Sequence, residues 1–555
     1  MRAMFQRPSS PWRAALVVLA GAALLSLLFL PARDDGTLSL FLDWRPELEP
    51  LLVIGLLAVL ALAGWRLPSA VRGLLAGLLC LAALLQFADA AVLALLDRQL
   101  NLYFDLPHVP QLIGLFYDAA GPWRGTAGIA ATLLVLAGAV VLTARVLDAI
   151  EGALRPPRHA AVALGVVAAL AIASPIVRAA LGTPLLGERT TPAVVTQAAL
   201  LYHTWRVLNG DDPRYAAALA TPQPPAGALP GLKHRDVYLV FFESYGTVVL
   251  DKPNDAAVVE PALQRFAATV AKAGWHLVSN RIVSPTFGGG SWLAHGTINS
   301  GVKLDPLLIS LVTESQRETL PRYMRAAGYR TLEIMPGLRT PEPEHGFWGF
   351  DRTEMAVDIG YHGPLFGWFG IPDQYTLRYA DERLDAPGHS PFFAQIVLVS
   401  SHAPFAPVPP YVEDWGAPDL YRGIAKAQWS RIDAPPDWTH LEAPYLKSVV
   451  YDLDALGGWL QRLPGDALVI ILGDHQPPGF ISSKAEPWTV PIHVLSRDPD
   501  LLRPFRAAGY VDGPLPPRQG PFKGMESFLG DYIRGFSEAP TVAASHPATA
   551  EHGTN

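Results

Sequence analysis

The chain has 555 residues, of which 50% are apolar and 17% charged; 43 Lys+Arg against 50 Asp+Glu leave a net charge of −7. A soluble domain carries about 25% charged residues, so this composition points into a membrane, and its acidic balance speaks against nucleic acid as a partner. The single cysteine, Cys80, excludes an intrachain disulfide, a thiolate zinc site and a CxxC redox centre.

In chain order, five apolar runs come first, at 14–30, 50–65, 73–96, 126–144 and 160–177. Each approaches the roughly 20 residues that a spanning helix needs, so a membrane domain of five helices is predicted over 1–182. No small-residue cleavage site follows Leu30 and four more runs do, so the first run reads as a retained anchor. Arg2, Arg7, Arg13, Arg66, Arg72, Arg145, Arg155 and Arg158 fall on one side of these runs. On the other side Arg33 and Arg45 stand beside Asp34, Asp35, Asp43, Glu47 and Glu49, and are followed by Arg98 and Arg124. That bias puts the N-terminus in the cytoplasm, and five crossings then place everything after about residue 180 on the outer face of the inner membrane. Asp89 falls late in the third run and is read as an interfacial residue that reaches water.

A connecting segment at 183–230 ends in TPQPPAGALP, which reads as a linker. Residues 231–536 have ordinary globular composition, and 537–555 are small and polar, as in a disordered tail. Within 231–536, short apolar runs at 237–242, 330–335, 392–399, 467–472 and 490–495 read as buried strands. Helical periodicity fits 258–273, 318–327 and 443–463. Strand–helix alternation predicts a mostly parallel α/β sheet with sites past the carboxyl ends of its strands.

Chemistry-bearing residues follow those ends: Glu243-Ser244 after the first strand, Ser400-Ser401-His402 after the third, Gly473-Asp474-His475 after the fourth. Carboxylates with a histidine are ligands for a hard or borderline divalent metal. A lone strand-end glutamate would be unremarkable; the recurrence at one edge is the signal. In SPTFGGGSWLAHG, three glycines precede Ser291, which sits at the start of a helix over 291–299. There it serves either as an N-cap or as a nucleophile beside N–H groups that favour an anion.

Glu after the first strand, a hydroxyl residue after a Gly-rich turn and a late Gly-Asp-His, behind five membrane helices, resemble the lipoteichoic acid synthase and phosphoglycerol transferase branch of the alkaline phosphatase/sulfatase-like superfamily. The resemblance implies a membrane-anchored α/β protein with an alkaline-phosphatase-like outer domain. It implies that Glu243, Ser291, Asp474 and His475 bind one divalent metal, Mn²⁺ foremost, with Mg²⁺ or Zn²⁺ as alternatives. Ser291 stands where the family usually has a threonine nucleophile. His402 resembles the histidine that binds the substrate phosphate. His345, Trp348 and Arg352 resemble the head-group pocket, although the spacing up to Arg352 departs from the pattern. His295, one turn after Ser291, is either a substrate contact or a structural histidine.

The C/S-x-P-S/T-R motif of true sulfatases is absent, and so are cysteines in the outer domain, where phosphoethanolamine transferases usually carry disulfides. The expected activity is transfer of a phospho-head-group, phosphoglycerol first, from a membrane phospholipid to an envelope glycan or lipid acceptor through a covalent Ser291 intermediate. The alternatives are phosphoethanolamine transfer, a metal-dependent phosphodiesterase or phosphatase that uses water, and a scaffold without catalysis.

Overall fold

The computed structural model describes residues 10–29, 45–96, 98–110, 113–114, 117, 122–183, 185–187, 190–340, 345–384, 391–417, 420–421, 423–424, 437, 440–482 and 487–538. The tail from 539, Arg2, Arg7, Arg33 and the first acidic loop lie outside them. The chain divides into two compact units, residues 1–211 with 478–484, and 212–477 with 485–555.

The first unit is helical: α1 (Pro11–Ser26), α2 (Leu48–Leu62), α3 (Ser69–Leu96), α4 (Pro122–Leu154), α5 (Pro157–Leu181) and α6 (Thr190–Leu208). Four spans are long and apolar enough to cross a membrane: Pro11–Phe29, Ser69–Leu93, Trp123–Leu154 and Pro157–Leu181. The expected second span is shorter. α2 has 15 residues, about 22 Å of helix, against a hydrocarbon core of roughly 30 Å. It stops before Trp65 because Gly64 takes a positive φ of 74°. α2 packs into the bundle through Leu51, Ile54, Leu57 and Ala58. Where α1 meets α4, a Cβ on Gly21 would lie 2.7 Å from Ile150, so glycine allows the close approach. Arg72 pairs at 2.7 Å with both Asp148 and the buried Glu151. Asp89 Oδ1 accepts from Leu100 N at 3.1 Å, so this carboxylate ties down the end of α3. The sequence pattern did not reveal α6, whose Tyr202 and Trp205 rings stack 6.2 Å apart and stay exposed.

The second unit is built on one eight-stranded sheet of order β4-β3-β5-β1-β6-β7-β2-β8. In chain order the elements used below are β1 (Asp236–Phe242), α7 (Pro253–Lys272), β2 (His276–Val283), α8 (Ser291–Ser300), β3 (Arg330–Met335), β4 (Arg352–Met355), α9 (Asp373–Leu384), β5 (Phe392–Val397), α10 (Glu442–Arg462), β6 (Ala467–Gly473), β7 (Thr489–Ser496) and β8 (Val511–Asp512). β4, β3, β5, β1 and β6 run parallel; β7, β2 and β8 are antiparallel. The expected mostly parallel sheet is therefore a mixed one. Among the described residues between β6 and β7, 474–482 and 487–488, no crossover helix occurs, which suits an antiparallel return.

The central strands are apolar throughout because helices cover both faces. Val237, Leu239 and Phe241 of β1 face a core completed by Ala294 and Ile298 of α8 and by the helix Phe528–Phe536. Tyr238 faces the other way and meets Trp459 of α10 edge-on at 5.1 Å. Residues 221–229 form no regular element but are held down: Tyr323 Oη donates to Pro224 O at 2.6 Å, and Leu229 is buried. β2 escaped sequence reading because Ser279, Asn280 and Arg281 interrupt its apolar pattern. Polar partners compensate: Arg281 forks onto Asp251 at 2.6 and 2.7 Å, and Ser279 Oγ meets His493 Nδ1 at 2.8 Å.

Candidate active site

β1 and β6 are hydrogen-bonded neighbours, in register from Asp236↔Ala467 to Phe242↔Gly473. The residues that follow them, Glu243-Ser244 and Asp474-His475, therefore emerge side by side. Ser244 has a φ of 54°, a left-handed conformation that a serine adopts only where its surroundings hold it. Here its N–H donates to Asp474 Oδ1 at 2.8 Å and its hydroxyl to Glu243 Oε1 at 2.8 Å. A Cβ on Gly473 would collide with the Tyr245 carbonyl, so the turn requires glycine there.

The third contributor arrives from β2. Gly288, Gly289 and Gly290 all take positive φ, and Gly290 is the N-cap of α8. Ser291 is thus the first helical residue. Its Oγ lies 3.1 Å from Glu243 Oε2 and 3.2 Å from His475 Nε2. The two other hydroxyls of the segment face elsewhere: Ser284 Oγ donates to Asp474 O at 2.6 Å, and Thr286 Oγ1 to Gly289 O at 2.6 Å. His475 Nδ1 sits 2.7 Å from Gln476 O, which assigns the proton to Nδ1 and leaves the Nε2 lone pair toward Ser291.

Glu243, Asp474 and His475 are all buried, and their ligand atoms lie within 4.8 Å of one another. Asp474 Oδ1 also accepts from His475 N at 2.7 Å, whereas its Oδ2 is buried without a hydrogen-bond partner. Burial pushes Asp474 up to about 6, and the neighbouring Glu243 charge adds to the rise. Burial alone would lower His475, but the Asp474 and Glu243 charges outweigh it and hold the imidazole above its usual value. Two carboxylates with ligand atoms within 4.8 Å of each other, one with an orphaned oxygen, beside an imidazole lone pair form a donor set that fits a divalent cation.

The remaining sequence-predicted residues fall into three places. His402 follows β5; its Nδ1 lies 2.7 Å from Ala403 O and its ring meets Phe369 at 4.8 Å. Ser401 Oγ donates to Glu243 O at 2.7 Å, so the His402 loop is tethered to a metal-ligand candidate. His345, Trp348 and His295 line one small cavity of about 30 Å³ beside α8, with Asn299, Glu333 and Gln395. His295 is buried against Phe241 at 4.1 Å, and burial pushes it down to about 4, so it is neutral. Arg352 lies apart from that cavity, on β4, paired with Glu354 at 2.6 Å and 61% exposed. Two supporting residues carried no sequence signal. Gln476 donates to Pro487 O and Thr489 O at 2.8 and 3.0 Å, and Tyr445 Oη donates to Ser244 O at 2.8 Å.

The mixed α/β sheet gathers acid, imidazole and serine groups past β1 and β6, a set of groups that could hold a metal ion beside a hydroxyl. Residues 309–490 match the Sulfatase family model, in keeping with the resemblance read from the sequence. The matched stretch contains Asp474 and His475; Glu243 and Ser291 lie before it and are brought in by the fold. Solved structures with partial likeness include the lipoteichoic acid synthase LtaP from Listeria monocytogenes, at 16% identity and TM-score 0.37 over 57% of this chain and 75% of that one. Another is the Streptococcus pyogenes phosphoglycerol transferase GacH in complex with sn-glycerol-1-phosphate, at 11% and 0.35 over 61% and 91%. A third is the soluble domain of lipooligosaccharide phosphoethanolamine transferase A from Neisseria meningitidis, at 14% and 0.36 over 57% and 89%. No curated protein matches the chain.

Proposed function

We propose that this protein transfers a phospho-head-group, phosphoglycerol first, from a membrane phospholipid to an envelope glycan or lipid acceptor on the outer face of the inner membrane. The observation that carries the reading is a serine hydroxyl at a helix N-terminus, 3.1 Å from a buried carboxylate and 3.2 Å from a buried imidazole. The outer location requires an odd number of crossings, so α2 would cross as the fifth span by locally thinning the bilayer.

Glu243, Asp474, His475 and Ser291 would hold one divalent ion, Mn²⁺ foremost, which supplies a lowered serine pKa and charge neutralisation at the phosphoryl oxygens. Ser291 Oγ gives its proton to Glu243 Oε2, 3.1 Å away, and attacks the donor phosphorus, and that proton passes on to the departing diacylglycerol oxygen. The phosphorus–oxygen bond to diacylglycerol breaks as the Ser291 ester forms. N–H groups of the first turn of α8 and His402 offset charge on the phosphoryl oxygens. An acceptor hydroxyl then attacks the same phosphorus, the phosphorus–Ser291 oxygen bond breaks, and the hydroxyl proton returns through Glu243 Oε2 to Ser291 Oγ. Trp348 and His345 are the residues proposed to face the head group.

The test is to offer head-group-labelled phosphatidylglycerol and phosphatidylethanolamine with Mn²⁺. Diacylglycerol release with label on an acceptor supports transfer. Label appearing only as a free head-group phosphate would assign a phosphodiesterase instead, and release from phosphatidylethanolamine alone would change the head group.

A further inference from the structure

Behind the His402 loop lie two carboxyls that the candidate metal centre does not use. Asp373 opens α9 and is fully buried. Its Oδ1 accepts from Val399 N at 2.8 Å and its Oδ2 from Ser400 N at 2.7 Å. Ser400 Oγ returns the contact by accepting from Asp373 N at 3.1 Å. Asp452, in the middle of α10, is equally buried, yet neither of its oxygens finds an N–H or O–H donor. α9 packs against α10 at this point, where Gln374 N, next to Asp373, donates to the hydroxyl of Tyr451, next to Asp452, at 3.1 Å, and Asp373 and Ser401 are side chains that act on Asp452. The one proton of Ser401 already goes to Glu243 O. Among the described residues, no lysine or arginine forms an ion pair with either carboxyl. The groups around the pair are Glu243, the Tyr421 and Tyr451 hydroxyls, 2.9 Å from each other, and Arg378, whose charge is felt at Tyr421.

Two ionised carboxylates in contact in a dry core would repel strongly, and one proton between them turns that repulsion into a charge-assisted hydrogen bond. The backbone contacts decide which side is charged. Asp373 accepts two N–H bonds, which favour its ionised form, whereas Asp452 has no donor of its own. Burial, with the Asp373 charge next to it, likewise holds Asp452 well above the usual carboxylate range.

We propose that Asp452, as the neutral acid, donates to the Asp373 carboxylate, and that this proton-sharing pair is the brace that positions His402 and the Glu243 main chain. The brace fixes the backbone at Val399 and Ser400; Ser401 then reaches Glu243, and His402 follows directly. Both acids are positioning residues, because neither touches the reacting atoms. The role rests on the transfer reaction proposed above.

Isosteric variants of the full-length protein test it asymmetrically. D452N keeps a donor toward Asp373 and should retain diacylglycerol release close to wild type. D373N turns an amide N–H₂ toward a backbone N–H and should lose about 10²-fold in kcat, as a small misplacement does, with metal content unchanged. Amide exchange at Val399 and Ser400 should quicken in D373N and not in D452N. Independently of activity, infrared spectra at pH 8 in a detergent free of esters should show a protonated-carboxyl band that D452N removes. A spectrum in which D452N removes no such band overturns the proposal, as do equal losses in the two variants. If D373N fails to fold, the band and the D452N activity decide. If wild type releases no diacylglycerol, the transfer reading fails, while the band and the exchange rates still judge the brace.

Discussion

Asp474→Asn should strengthen the metal-free protein and abolish its response to metal, two effects of opposite sign from one atom. Asp474 Oδ1 holds Ser244 N and His475 N, and an asparagine oxygen can keep both bonds. The new amide nitrogen takes the place of the orphaned Oδ2, 3.7 Å from His475 Nε2, and has no lone pair with which to ligate a cation. Keeping a carboxylate ionised when its value has risen from 3.8 to about 6 costs about 3 kcal/mol. The folded value is raised, so that cost is present above about pH 6 and disappears as pH falls towards 3.8. Chelator-treated D474N should therefore exceed wild type by up to about 3 kcal/mol at pH 7.5 and match it near pH 4. Mn²⁺ at 100 times its Kd should add about 2.7 kcal/mol to wild type and nothing to the variant, which should also be inactive. Thermal unfolding of the full-length protein, followed by tryptophan fluorescence with chelator and with Mn²⁺, reads both effects. A variant less stable than wild type in chelator, or stabilised equally by Mn²⁺, would refute this account of the site.

Ser291→Ala should fold and bind lipid yet lose on the order of 10⁴–10⁶ in kcat, the usual cost of a missing covalent nucleophile. Ser291→Thr should keep a measurable fraction, and mass spectrometry should find the phospho-head-group on the Ser291 peptide; an adduct on Thr286 would contradict the geometry. Burial holds His493 at about 4 against 6.5. A base depressed in the folded state loses stability as pH falls, so about 3 kcal/mol should vanish between about pH 6.5 and 4. His493→Gln should flatten that limb of a pH–denaturation series, and an unchanged slope would mean another group titrates there. A reporter fused after residue 185 should be active outside the cytoplasm, and one at 150 should not; the reverse pattern would leave α2 uncrossed and the lipid-donor reading without support.

The amino-acid sequence by itself marked the membrane half and five of the eight strands, because helix-covered strands are continuous apolar runs with sharp ends. It also marked Glu243 and Asp474-His475, because in such sheets chemistry follows strand ends. It set the second apolar run at 50–65, whereas α2 spans Leu48–Leu62 and ends before Gly64, and it missed β2, whose polar residues are satisfied by Asp251 and His493 from elsewhere in the chain. Ser284, Thr286 and Ser291 look alike in one segment; only the folded loop turns the first two onto carbonyls and the third onto Glu243 and His475. The spacing up to Arg352 departs from the pattern, and in the fold its guanidinium pairs with Glu354 of the same strand, apart from the cavity that His345 and Trp348 line. Asp373 and Asp452 gave no signal, since a buried acid and a solvated one are the same letter. Their meaning is a contact between α9 and α10, separated by 79 positions in sequence, and chain folding alone brings such groups together in a place without water.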